Sequence, residues 1–152
     1  MMSGRFHLVT WSGGGNTTPT YAVARRFVAR GHAVTILGQM AQAEAARDLG
    51  ARFVPPGLPD WTPGKSVEEE SDAFFALLFG PAVGEAVLDN ITRDPPDVLV
   101  MDCMLTSALA AAERASMPSA VLVHVLYEQF VAGTMPPLGC DAPHGQPDAS
   151  RL

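Results

Sequence analysis

FHLVTWSGGGNTTPTYAVARRFVARG, residues 6–31, joins an apolar strand, a glycine-rich turn and an amphipathic helix closed by glycine. That order is the first half of a βαβ unit. Phe6, Leu8 and Val9 make a short buried run ending at Trp11, and Ser12, Gly13, Gly14 and Gly15 allow a sharp backbone reversal, with positive φ where needed. The helix is predicted to open with Thr18 as N-cap and Pro19 at its first position, where a missing N–H costs nothing. Ala24, Phe27 and Val28 share one face. Arg25, Arg26 and Arg30 take the other sides and the end favoured by the helix dipole, and Gly31 is the left-handed cap. A turn between a strand's carboxyl end and a helix N-terminus is where open α/β sheets bind ligands, so function is sought there first.

Outward from this unit the alternation continues. Residues 33–38, AVTILG, form a near-continuous apolar run and read as a second buried strand. A helix over 41–49 stops at Gly50, and 52–54 make a short third strand cut off by Pro55 and Pro56. Residues 57–65, GLPDWTPGK, are turn formers carrying an exposed Trp61, the composition of a cleft loop. Ser66 and Glu69 form a capping box for a helix with Phe74, Phe75, Leu77, Leu78 and Phe79 on it, broken at Gly80 and Pro81. Aromatic residues at helical spacing read first as core. A second helix spans about 82–93. Residues 98–101, VLVM, are a fourth strand with Asp102 at its carboxyl end; a helix over about 106–115 and a fifth strand over 120–125 follow, with His124 near that strand's end. Residues beyond Phe130 are rich in glycine and proline and read as a loop or tail, so 1–132 is the expected domain and 133–152 the tail.

Five buried strands alternating with helices call for an α/β fold, a doubly wound Rossmann-like parallel sheet with helices on both faces. Right-handed crossovers predict the order 3-2-1-4-5, which puts the switch point between the first and fourth strands. The 12–18 loop and Asp102 then face each other across one crevice, with His124 a strand further along.

A net charge of −6 and the lack of a basic stripe exclude a nucleic-acid surface. No apolar run reaches the length of a membrane span, and Cys103 and Cys140 fit free thiols in a cytoplasmic protein. Cys103 itself reads as a small buried apolar residue. A nicotinamide site is excluded because Thr18 stands where G-x-G-x-x-G, counted from Gly13 and Gly15, needs its third glycine, and because the second strand ends in Gly38 and Gln39 without a carboxylate. A phosphate-binding loop would need Gly-Lys-Ser or Gly-Lys-Thr, which is missing, and a response regulator would need acids after the first strand.

Gly15-x-x-x-Pro19, the phrase ARGHAVTIL with Arg30, Gly31, His32, Val34 and Thr35, PDVLVMD at 96–102, and MPSAVLV after an alanine-rich helix stand in one order over about residues 5–125. This pattern resembles the N-terminal, acceptor-binding half of GT-B glycosyltransferases that act on natural products. The resemblance implies inverting transfer of a sugar from a UDP- or TDP-sugar to a hydroxyl of a small lipophilic acceptor, with no cofactor and no metal. The donor would be held mainly by a C-terminal domain rich in His, Gly, Ser and Glu motifs, which these 152 residues do not contain, so the chain alone is expected to be inactive. Asp102 matches the family's strand-end acid, whereas Asn16 occupies the position of its histidine base. An amide takes up no proton at neutral pH but can hydrogen-bond and orient a hydroxyl. The expected catalytic set is therefore Asp102 or His124 as base and Asn16 as the group that orients the acceptor. Beside this stand an Asp102 that caps the following helix and a His124 that is a satisfied core histidine. Trp11, Gly14, Gly15, Trp61, Phe74, Phe75, Met104, Tyr127 and also Met135 are the candidates for lining an acceptor cleft, since large flat side chains suit a lipophilic aglycone. The competing reading from another class is a non-catalytic Rossmann-like module that holds an anion or small molecule at the first helix N-terminus.

Overall fold

The computed structural model describes residues 3–13, 15–55 and 66–124. Its centre is a five-stranded sheet of β1 (Arg5–Val9), β2 (Ala33–Leu37), β3 (Arg52–Val54), β4 (Val98–Asp102) and β5 (Ser119–Leu122), in the order β3-β2-β1-β4-β5. All four pairings are parallel. The predicted order 3-2-1-4-5 is the one observed.

Successive strand side chains point to opposite faces, so these apolar runs feed two cores. On one face Leu8, Val34, Ile36 and Val100 pack with Ala24 of α1 (Thr17–Ala29) and Ala46 of α2 (Ala43–Asp48). On the other, Val9, Leu37, Leu99 and Met101 meet α3 (Val67–Phe79), α4 (Ala82–Arg93) and α5 (Thr106–Arg114) through Leu77, Leu78, Val83, Val87, Ala108 and Ala111. Gly84 lets α4 and α5 touch: a Cβ there would lie 2.5 Å from the Ser107 carbonyl oxygen.

Gly31 and Gly50 end α1 and α2 with φ of +80° and +76°. After α1, the Gly31 N–H donates to the Val28 carbonyl and the His32 N–H to that of Phe27, the paired bonds of a Schellman end. Nδ1 of His32 then accepts from the Gly4 N–H, tying that turn to the start of β1. The Ser66–Glu69 capping box forms as predicted.

Several expectations need correction. Helix α1 begins at Thr17 with Asn16 as N-cap, which puts exposed Thr18 second and Pro19 third. Pro19 is still tolerated, because no N–H of the first turn has a helical partner. The segment expected as one helix over 41–49 is a 3₁₀ turn, Met40–Gln42, followed by α2. Strand β5 stops at Leu122, so His124 lies beyond it: Leu122 pairs with Asp102, after which β4 turns away and offers no further ladder. The core reading of the α3 aromatics fails for Phe75 and Phe79, which are 54% and 60% exposed. Four residues apart, they stack on the outward side of the helix while Leu77 and Leu78 take the inward one.

One buried ionisable group lies away from the carboxyl ends of the strands. His7 is buried beside Asp94, with Arg5 and Arg52 also paired to that acid. Burial lowers the His7 pKa; Arg52 and Arg5 act in the same direction, against Asp94 and a hydrogen bond with Asn90 that raise it. Below the ordinary imidazole value of 6.5 the unfolded chain takes up a proton that the folded chain refuses. His7 therefore contributes stability that is full above that value and is lost as pH falls toward the lower, folded value. Urea unfolding at a series of pH values between about 7.5 and 5 is expected to show a steeper loss in the wild type than in His7→Gln. Parallel slopes would contradict this.

Candidate functional site

The carboxyl ends of β1 and β4 form the crevice at the switch point, and the structure brings Asn16, Asp102 and His124 together there. Asn16 sits in helical conformation at the start of α1, where its carbonyl accepts from the Thr20 N–H at 3.4 Å and the Thr20 hydroxyl at 2.9 Å. With the backbone so held, its side chain turns inward instead of capping the helix. Nδ2 donates to the Trp11 carbonyl at 2.8 Å and to Asp102 Oδ2 at 2.9 Å, with Thr10 Oγ1 at 3.4 Å. Oδ1 is buried and has no partner among the described residues.

Asp102 is 1% exposed. Its Oδ1 accepts from the Met104 N–H at 2.9 Å, a bond that shapes the turn before α5. The cap reading for Asp102 is thus met only in this turn, since Leu105 is the N-cap of α5. Both carboxylate oxygens lie 3.0 Å from Nε2 of His124, whose side chain is 8% exposed. A carboxylate only accepts, so Nε2 carries the proton of that bond, and in a neutral ring Nδ1 is then the nitrogen with the lone pair. An imidazole held in this tautomer can take a proton from a hydroxyl, with the acid opposite stabilising the imidazolium that forms. Asp102 itself is enclosed by donors: the Asn16 amide, the Met104 N–H and His124 Nε2. Cys103, a half-buried free thiol, follows directly.

The loop is braced by residues that sequence reasoning missed. The Ser12 N–H donates to Gln39 Oε1 at 2.8 Å, the Gln39 N–H donates to Gln42 Oε1 at 3.0 Å, and Gln42 Nε2 reaches the Trp11 carbonyl at 3.4 Å. Both glutamines are buried, and the signal available was a Gln-x-x-Gln pair directly after an apolar strand. Neither Gly13 nor Gly15 has a positive φ. Gly13 is required for closeness instead, because a Cβ there would stand 2.2 Å from the Trp11 ring. A Cβ at Gly15 would meet nothing within 4 Å among the described residues.

Of the other residues expected to line an acceptor cleft, Trp11 is buried in the core, 8% exposed, with its ring edge-on to Phe74 at 5.6 Å. Phe74 and Met104 are partly buried against the same core, and Phe75 continues the aromatic row outward, 5.9 Å from Phe74. Gly14, Trp61, Tyr127 and Met135, with the 57–65 loop and the tail, lie outside the described residues.

No family model and no curated protein matches this sequence. Solved structures do. A glycotransferase of kitacinnamycin superposes with a TM-score of 0.64 at 26% identity, over 80% of this chain and 30% of that one. Arabidopsis thaliana UGT89C1, complexed with quercetin, gives a TM-score of 0.65 at 17% identity, over 86% and 37%. The fold is that of one half of a GT-B glycosyltransferase. The chain spans about a third of the length of these glycosyltransferases. The fold also matches the C-terminal domain of PF1911 hydrogenase from Pyrococcus furiosus, at a TM-score of 0.59 and 15% identity, over 81% of this chain and 94% of that one. Among the described residues of this glycosyltransferase-like half, no single helix is long and apolar enough to cross a membrane.

Proposed function

We propose that the chain is the acceptor-binding half of an inverting, cytoplasmic glycosyltransferase. It would present a hydroxyl of a small lipophilic natural product to a UDP- or TDP-sugar held mainly by a second domain outside these 152 residues. The observation that carries this reading is the hydrogen-bonded line Asn16–Asp102–His124 at the β1/β4 crevice. In it His124 is the base, Asp102 holds its tautomer, and Asn16 is the positioning residue that locks Asp102 through Nδ2. Asn16 Oδ1, buried and without a partner among the described residues, would gain one from an acceptor hydroxyl only as the crevice opens to admit it. A base supplied from beyond β5 offsets the lack of a histidine at position 16. The outward row of Phe74 and Phe75 offers apolar surface for an aglycone.

The chain alone should then bind an aglycone without a donor. Calorimetric titration with quercetin is expected to give a micromolar or weaker Kd, with little affinity for free UDP or TDP. Tight nucleotide binding with no aglycone binding would instead favour a Rossmann-like anion-binding module.

A further inference from the structure

We infer that Asp102, Cys103 and His124 form a binding site for a thiophilic divalent cation, zinc above all. Their ligand atoms, a carboxylate oxygen, a thiol sulfur and a ring nitrogen, all lie within 4.8 Å of one another. The three residues come from two adjacent strand ends, and the backbone fastens those ends together. The Cys103 N–H donates to the Leu122 carbonyl at 3.2 Å, directly after the last paired residues of β4 and β5.

Zinc accepts S, N and O ligands at about 2.0–2.3 Å, which puts tetrahedral ligands roughly 3.3–3.8 Å apart. The His124–Asp102 pair, at 3.0 Å, opens slightly to reach that spacing, and a pair at the 4.8 Å limit closes by up to about 1.5 Å. A thiolate with an imidazole and a carboxylate selects zinc or cobalt over magnesium or calcium, which take oxygen ligands only. Three protein ligands leave a fourth position open to water.

Binding balances simply. The Cys103 thiol gives its proton to solvent as the S–metal bond forms, and the proton on His124 Nε2 moves to Nδ1 as Nε2 takes the metal. The Asp102–His124 hydrogen bond is exchanged for two metal bonds. Resting on the assignment of His124 as base, the consequence is inhibition: with Nδ1 protonated, the ring has no lone pair to receive a proton. Zinc would act as a reversible brake on this half, distinct from the sugar-transfer chemistry itself.

Cobalt(II) tests the site in the reduced 152-residue chain, independently of any transfer assay. The expected result is a thiolate-to-cobalt charge-transfer band with intense tetrahedral d–d bands, saturating at one equivalent and displaced by zinc. Both features should be lost in Cys103→Ser, a near-isosteric change whose fold circular dichroism checks, and in His124→Ala, and kept in Cys140→Ser. Weak octahedral bands alone, or a thiolate band that depends on Cys140, would overturn the site. Neither result bears on the base assignment, and a failed base assignment leaves the cobalt spectrum as expected.

Discussion

His124→Ala is expected to slow sugar transfer by about 10²–10⁴-fold in an enzyme that combines this half with a donor-binding domain. The loss should fall on kcat with KM nearly unchanged, because the proton moves only as the bond to the sugar forms. Asp102→Asn should fall in the same direction for a different reason. An amide beside Nε2 no longer demands a proton there, and its NH₂ would have to face either the Met104 N–H or the Asn16 amide nitrogen, both donors. The two losses should not add, since the residues act as one unit. Steady-state kinetics on the single and double variants measure this. A His124→Ala enzyme within about threefold of wild type, well short of the range for general base catalysis, would move the role of base to Asp102.

Trp11→Ala is expected to destabilise the chain by about 3–5 kcal/mol. The indole is almost fully covered, meets Phe74 edge-on, and lies so close to Gly13 that no side chain fits between them. Its Nε1 has no partner among the described residues, so the loss is one of packing and cavity formation. Equilibrium urea unfolding reads the change directly. Unaltered stability with a selective loss of aglycone affinity would instead make Trp11 a wall of the cleft.

The sheet was legible because each strand is a short apolar run between turn residues, and because five such runs alternating with helices leave few topologies. The crevice followed from the strand order, which predicts that Asn16 and Asp102 face each other before any side chain is placed. Side-chain direction was not legible. Asn16 reads from sequence as a group facing the acceptor, yet its amide nitrogen is used within the protein, and two buried glutamines that no motif announces brace the loop. Thr18 and Pro19 form an attractive helix start in sequence terms, but the chain begins the helix earlier, where Thr20 can bond back to the Asn16 carbonyl. Phe75 and Phe79 show the limit of composition: aromatic residues one turn apart face whichever side the helix turns outward, and here that side is open. The Asp102–Cys103–His124 group depends on how two strand ends turn after their last paired residues, which periodicity does not encode.

The most direct test of the account is imidazole ¹⁵N NMR of His124 in the chain with and without quercetin. The prediction is that Nε2 carries the proton of the bond to Asp102 in both states, and that Nδ1 alone shifts as an acceptor hydroxyl donates to it. A ring protonated at Nδ1 in the free chain, or quercetin binding that leaves Nδ1 unmoved, would contradict the assignment of His124 as the base of this site.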